Sequence, residues 1–477
     1  MNGNLMMHHR TIRPEAQARR AALAFALMGS LTLCQTAWGQ TSTPQPAEPQ
    51  PAAPQPTDAP VPPSTDTGGA VEAQGSSSSS STDIFSRNTV SAIVDLRASA
   101  ANGETSFLNG GFGKTRYGGG ANGDYKARAQ VAEADLIWTP RFTKSLTANV
   151  SAAYQNDHTS FDLMEAFLNF QPESTGKFSV TGRAGLMWPE ISLEHSTGGA
   201  WSTVNVITPS AINSWVGEET KVVGLEATLH ANLGQNQLLL TGGVFGFNDT
   251  SGTLLSFRGW ALHDEKATGF SHFPLPPRNA FLTGAQQDVT RSTIDVDKKP
   301  GYYLRLDWRP PAPVGVALFY YDNRGDPAAF FKTLQWGWRT RFFNLALNAD
   351  LGPNTHFLAQ GMSGSTIMGF DVNNVPWVHT YFRSAFASIV QDLDAKTALT
   401  GRIEAFGTRE HGSEMDPALN NEDGWATTVD LRHNFSSHFT GFLEALNVRS
   451  RRGMRVDEGL EPFQAQTVFQ AALRVKI

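Results

Sequence analysis

The chain of 477 residues carries a single cysteine, Cys34, inside an apolar stretch near the N-terminus. A lipid-anchoring signal needs a small residue just before the cysteine, and Leu33 stands there. If this stretch is removed on export, disulfides and thiolate metal sites are excluded. Basic excess is also lacking. Lys+Arg number 38 against 44 Asp+Glu, a net charge of −6, which gives no footing for a nucleic-acid partner. Past residue 40, no apolar run approaches the roughly 20 residues of a membrane helix. The twelve histidines show no HExxH or comparable ligand spacing. Gly113-Lys114-Thr115 looks like the end of a phosphate-binding loop, but Leu108 occupies the place of the required glycine. Gly361-Met362-Ser363-Gly364-Ser365 lacks the last glycine of a nucleophile elbow. No catalytic residue, metal or cofactor is therefore expected. An enzyme in a barrel wall would need a Ser–His pair on neighbouring strands, which sequence alone leaves open.

Of what is present, the N-terminus reads first. Arg10, Arg13, Arg19 and Arg20 precede the apolar run Ala21 to Leu33, and Ala37-Trp38-Gly39 follows with small residues. This is the pattern of an export signal over residues 1–39, cleaved before Gln40. Residues 40–86 follow. Nine prolines between 44 and 63 alternate with Gln, Ala, Thr and Ser, and a serine run covers 76–81. Such a segment cannot bury enough apolar surface to fold, so a disordered Pro/Gln/Ser-rich tether is predicted.

From residue 87 the pattern changes to period two. In the last segment Phe463, Ala465, Thr467, Phe469, Ala471, Leu473, Val475 and Ile477 share one parity. Gln464, Gln466, Gln470, Arg474 and Lys476 take the other. The same alternation recurs in Val90–Ala98, Phe178–Leu186, Tyr302–Arg309 and Trp425–Arg432. About 16 strands are predicted, joined alternately by short turns and longer loops. The loops fall near 102–126, 156–160, 189–220, 249–299, 323–332, 368–376, 410–423 and 452–462. Trp138, Tyr154, Phe170, Trp188, Trp308 and Phe435 lie at strand ends on the apolar parity, as aromatic girdles do. The fold class is all-β, a transmembrane antiparallel barrel over residues 87–477. The mean hydropathy of −0.28 does not oppose this, because only alternate residues of such a wall face lipid.

On these residues the chain resembles a Gram-negative outer-membrane porin of sixteen strands. The long polar N-terminal segment and Arg-bearing strands are similar to the phosphate-selective porin family. Phe469 matches the aromatic of the strand that the barrel-assembly machinery reads, and Ile477 departs from the family's final Phe. The resemblance implies an outer-membrane lipid environment, small hydrophilic solutes or ions as cargo, a homotrimer, and a third loop folded into the pore. Loop 189–220 is the candidate for that loop, either folded into the lumen or packed over the barrel mouth. It joins Glu190, Glu194, Glu218 and Glu219 to Trp201, Val204, Val206, Ile207, Ile212 and Trp215, too apolar a set to lie in water. Parity assigns Arg305, Arg309, Arg339, Arg341, Arg402 and Arg432, with Arg383, to one arc of the pore wall. Glu133, Asp135, Glu165, Glu226, Asp95 and Glu444 fall on the opposite arc, which is net acidic. Either the two arcs set up a transverse field across the pore, or these groups pair locally on adjacent strands. The function expected is passive diffusion. The alternatives are a blocked barrel that acts as a structural or surface-interaction protein, or an outer-membrane enzyme. A plug-gated transporter is not expected, because residues 40–82 cannot supply a folded plug.

Overall fold

The computed structural model describes residues 82–155, 161–174, 176–196, 200–331 and 334–477. The expected export signal, the tether as far as residue 81, and loop 156–160 lie outside the described residues. Sixteen antiparallel strands form one closed barrel. They are β1 Val90–Ala101, β2 Lys126–Trp138, β3 Leu146–Gln155, β4 Asp162–Phe170, β5 Phe178–Met187, β6 Val222–Leu233, β7 Asn236–Gly246 and β8 Gly301–Arg309. Then come β9 Val314–Asp322, β10 Arg339–Gly352, β11 Thr355–Val372, β12 Val375–Asp392, β13 Thr397–Glu410, β14 Glu422–Asn434, β15 Phe439–Arg452 and β16 Phe463–Lys476. Each strand pairs with its sequence neighbours, and β16 closes on β1 from Ile93↔Lys476 to Ala101↔Val468. Closure leaves no unpaired edge. Among the described residues no helix is long and apolar enough to cross a membrane, which says nothing of crossing by strands.

One end of the barrel carries the short turns, such as Gly234-Gln235 and Pro353-Asn354, and the other carries the long loops. Two loop boundaries differ from expectation. Loop 323–332 continues to 338, because Leu334 to Trp338 pack with the loop end instead of joining β10. Loop 368–376 contracts to a two-residue turn. Asn373 and Asn374 take φ of 52° and 66°, the left-handed pair of a type I′ hairpin that asparagine tolerates. Ordered chain also begins before residue 87. Asp83 exchanges backbone hydrogen bonds of 2.8 and 2.7 Å with Arg141, and Phe85 stacks on Trp138 at 4.9 Å.

The alternation predicted for β16 holds residue by residue. Phe463, Ala465 and Phe469 are exposed on the outer wall, while Gln466, Gln470 and Arg474 are buried inside. The interior is less polar than a water-filled lumen requires. Inward positions of β7 to β13 supply Phe245, Tyr303, Phe319, Tyr321, Phe342, Phe382, Phe386 and Phe406, all buried in one cluster. The core of this molecule lies inside the barrel.

Candidate functional site

That aromatic wall receives loop 188–221. Helix α1, Ala211–Glu219, has all nine residues buried. Trp215 sits 5.3 Å from both Phe342 and Phe382 and 6.1 Å from Trp260, ring centre to ring centre. Edge-on aromatic contacts of this kind contribute beyond area burial alone. Trp188, expected in an outer girdle, is instead buried and stacked at 4.6 Å on Trp201. It follows the last residue of β5, where the chain has already turned inward.

Wall carboxylates satisfy the loop's backbone. Glu404 on β13 accepts from Ala211 N at 2.7 Å and Glu444 on β15 accepts from Ile207 N and Thr208 N at 2.9 and 2.8 Å. Glu404 thus stands at the N-terminus of α1, where the helix dipole favours an anion. Arg402, fully buried, donates to Glu194 at 2.7 Å, Glu404 at 3.0 Å and Thr208 O at 3.0 Å. Arg474 donates to Thr203 O at 2.6 Å, and Arg432 to Val204 O at 3.2 Å. The loop end of the lumen is filled further by residues 247–300. Trp260 N donates to Glu422 at 2.9 Å, Lys266 pairs with Glu133, and Lys114 from loop 102–125 pairs with Glu422. Gly259 has φ of +79° and runs so close to the wall that a Cβ there would collide with Glu422.

The expected basic arc divides in two. Arg305, Arg309, Arg402 and Arg432 point inward. Arg305 binds Asp307 on its own strand at 2.6 and 2.7 Å and also reaches Glu190 O. Arg339, Arg341 and Arg383 point outward, contrary to expectation, because the buried residues of β10 are Thr340, Phe342, Asn344 and Ala346, and those of β12 include Phe382 and Ser384. Parity read from charge failed there, since the inner wall is aromatic and the outer wall carries the arginines. Of the acidic set, Glu133, Asp135, Glu165 and Glu226 lie inside. Glu226 clasps Arg183 at 2.7 and 2.8 Å and accepts from Tyr303 at 2.7 Å, and Glu165 accepts from Trp188 N at 3.3 Å. Glu190 is the more open of the loop carboxylates, 4.0 Å from Arg183. Glu218 and Glu219 do not line an opening, because both are enclosed between loops. Local pairing therefore accounts for Arg305, Arg402 and Arg183.

Burial raises the Glu218 carboxyl, but Arg258, bidentate at 2.6 Å, and His263 at 3.0 Å outweigh it and hold it at about 2. Burial pushes its neighbour Glu219 up to about 7, despite hydrogen bonds from Leu254 N, Gly252 N and the Trp215 indole. Burial also opposes ionisation of Asp264, yet Arg97 and Arg116 keep it well below the usual carboxylate range. Asp249, Asp295 and Asp297 bring carboxylate oxygens within 4.8 Å of one another. Those of Asp249 and Asp295 already accept backbone N–H groups, from Val296 at 2.6 Å and Lys298 at 2.7 Å. At the turn end a polar cavity of about 710 Å3 opens between Arg141, Lys144, Asn169, Thr181 and His230. Beside the inserted loops, a second of about 10 Å3 lies between Asp95, Glu133, His195, Asp264 and Arg474. That is about the space of one water. Sequence reasoning missed Glu404 and Glu444 as anchors of the loop. Their signal was a carboxylate on the inward parity facing a loop rich in unpaired backbone donors.

The chain matches no protein-family model and no curated protein. Among solved structures it is similar to the outer membrane channel DcaP of Acinetobacter baumannii, at 8% identity and a TM-score of 0.51 over 82% of this chain and 99% of that one. An anion-selective porin from Comamonas acidovorans aligns at 11% identity and a TM-score of 0.47, over 82% and 99% of the two chains. OmpT of Vibrio cholerae, an outer membrane protein, aligns at 9% and 0.44, over 83% and 100%. At these identities the likeness is one of fold.

Proposed function

We propose that the chain is an outer-membrane porin, a passive diffusion channel for small hydrophilic solutes or ions, narrowed by loop 189–220. The observation that carries this reading is a closed barrel with a polar turn-end cavity and a loop laid along its inner wall. Arg309, Arg432 and Glu190, the more open of the inward charges, then form the lining that selects solutes, while Arg305, Arg402, Glu133, Asp135, Glu165, Glu194 and Glu226 are paired or enclosed behind it. Transport of this kind needs no covalent step, so the reading is not that of an enzyme. It includes an export signal over 1–39, a tether over most of 40–86, assembly by the barrel machinery and a homotrimer.

A second reading is a barrel whose lumen stays blocked and which works through its surface. The water-sized gap and the enclosed α1 favour it. Single-channel recording of the purified chain in planar bilayers separates the two. Steady, ohmic openings support the porin. A silent bilayer that becomes conducting only when residues 200–215 are deleted supports the blocked barrel and sinks the porin reading.

A further inference from the structure

The outer wall is apolar almost throughout. From β1 to β8 its outward positions hold mainly Leu, Val, Ala, Gly, Phe, Tyr and Trp, with no charged residue among them. The part of β10 to β15 from mid-strand of β12 toward the loop end departs from this. Arg339 and Arg341 on β10, Arg383 on β12, Arg409 on β13, and Arg449 and Arg451 on β15 all take the outward parity. Strand pairing sets them in rows. Arg341 lies level with Ser365, Tyr381 and Arg409. Arg383 lies level with Gly407, Asp423 and Arg451. The large outward side chains at these levels, Phe343, Tyr381 and Trp425, are the aromatic type found at a bilayer interface.

The band is under-neutralised within the protein. Arg409 grips Asp423 at 2.6 and 2.8 Å, and Arg339 reaches Asp322 at 3.8 Å. Arg449 lies over the Trp425 ring at 5.1 Å. Arg341, Arg383 and Arg451 form no ion pair among the described residues. Six guanidinium groups thus meet two carboxylates on a surface otherwise made for lipid. An outward arginine is costly at the bilayer midplane and nearly free close to the interface. At headgroup depth its planar fork matches phosphate oxygens.

We infer that this band binds the phosphate headgroups of anionic lipid in the leaflet at the loop end of the barrel. The inference rests on the membrane-barrel reading above. The test reconstitutes the full chain into vesicles of phosphatidylcholine with a minor share of phosphatidylglycerol, extracts it gently, and counts retained lipid by native mass spectrometry. Wild type should hold phosphatidylglycerol enriched roughly tenfold over the vesicle ratio, less so at high salt. Arg341→Ala with Arg383→Ala and Arg451→Ala should return the ratio to that of the vesicle, with unheated barrel mobility unchanged. The matching triple Lys variant should keep most of the enrichment. Equal retention by wild type and the Ala variant overturns the inference. So does full displacement by inorganic phosphate when chloride of equal ionic strength has no effect, since the band would then bind a free anion. Insertion into vesicles without enrichment removes this inference alone. Failure to insert even into pure phosphatidylcholine removes the membrane reading with it.

Discussion

Arg341 and Arg402 illustrate how one residue type serves opposite sides of a thin wall. Arg402 neutralises Glu194 and Glu404 in the interior, so Arg402→Ala leaves two buried carboxylates short of a partner. Breaking such a pair costs roughly 3–5 kcal/mol, and the loop it holds should loosen. Conductance of Arg402→Ala is expected to change in size and noise, whereas Arg339→Ala with Arg341→Ala leaves it at the wild-type value. Equal effects of the two variants would refute the inside–outside assignment on β10. The Glu218–Glu219 pair sets a pH window for α1. Glu218 titrates near 2 in place of 4.5, so its stabilisation is present above about 4.5 and lost as pH falls toward 2. Glu219 is raised from 4.5 to about 7, so its contribution is present below 4.5 and lost as pH rises through 7. Near-UV circular dichroism from the Trp215 cluster should peak near pH 4.5 and decline on both sides. Glu219→Gln should remove the upper limb and spare the lower one.

Among the elements, the strands were the part most open to sequence reading. Period two survives wherever one face meets lipid, and the β16 parity of Phe463 to Val475 is recovered in full. Parity was misassigned where both faces broke the rule, as in Arg339-Thr340-Arg341-Phe342 on β10, with arginine outward and phenylalanine inward. The apolar content of loop 189–220 was visible, and so was its need for cover. Its docking partners were not, because Phe342, Phe382, Glu404 and Glu444 lie more than a hundred residues away and adjoin it only once the barrel closes. The β11–β12 turn was overestimated because asparagine signals a turn without giving its length. Replacing Asn374 by Val, which resists positive φ, should destabilise that hairpin by about 1–2 kcal/mol in urea titrations, while Asn374→Gly stays within a few tenths. A valine variant as stable as wild type would contradict the left-handed assignment.

For the whole molecule, the expected behaviour is that of a sheet that holds itself. The purified chain should migrate differently before and after heating in detergent, and deleting residues 41–82 should leave that shift intact, since their composition offers no core. Loss of the shift on deletion would show that the segment takes part in folding. The contacts inside the barrel also carry a consequence in time. The turn-end hairpins join neighbours a few residues apart, so much of the wall can grow by local pairing. The inserted loop, by contrast, is held by Arg474 to Thr203, Gln470 to Thr208 and Glu444 to Ile207, partners 271, 262 and 237 residues apart. Those partners stand on the last two strands, and β16 is also the strand that meets β1. Filling the interior and sealing the cylinder therefore share one late step, after most of the backbone has found its register.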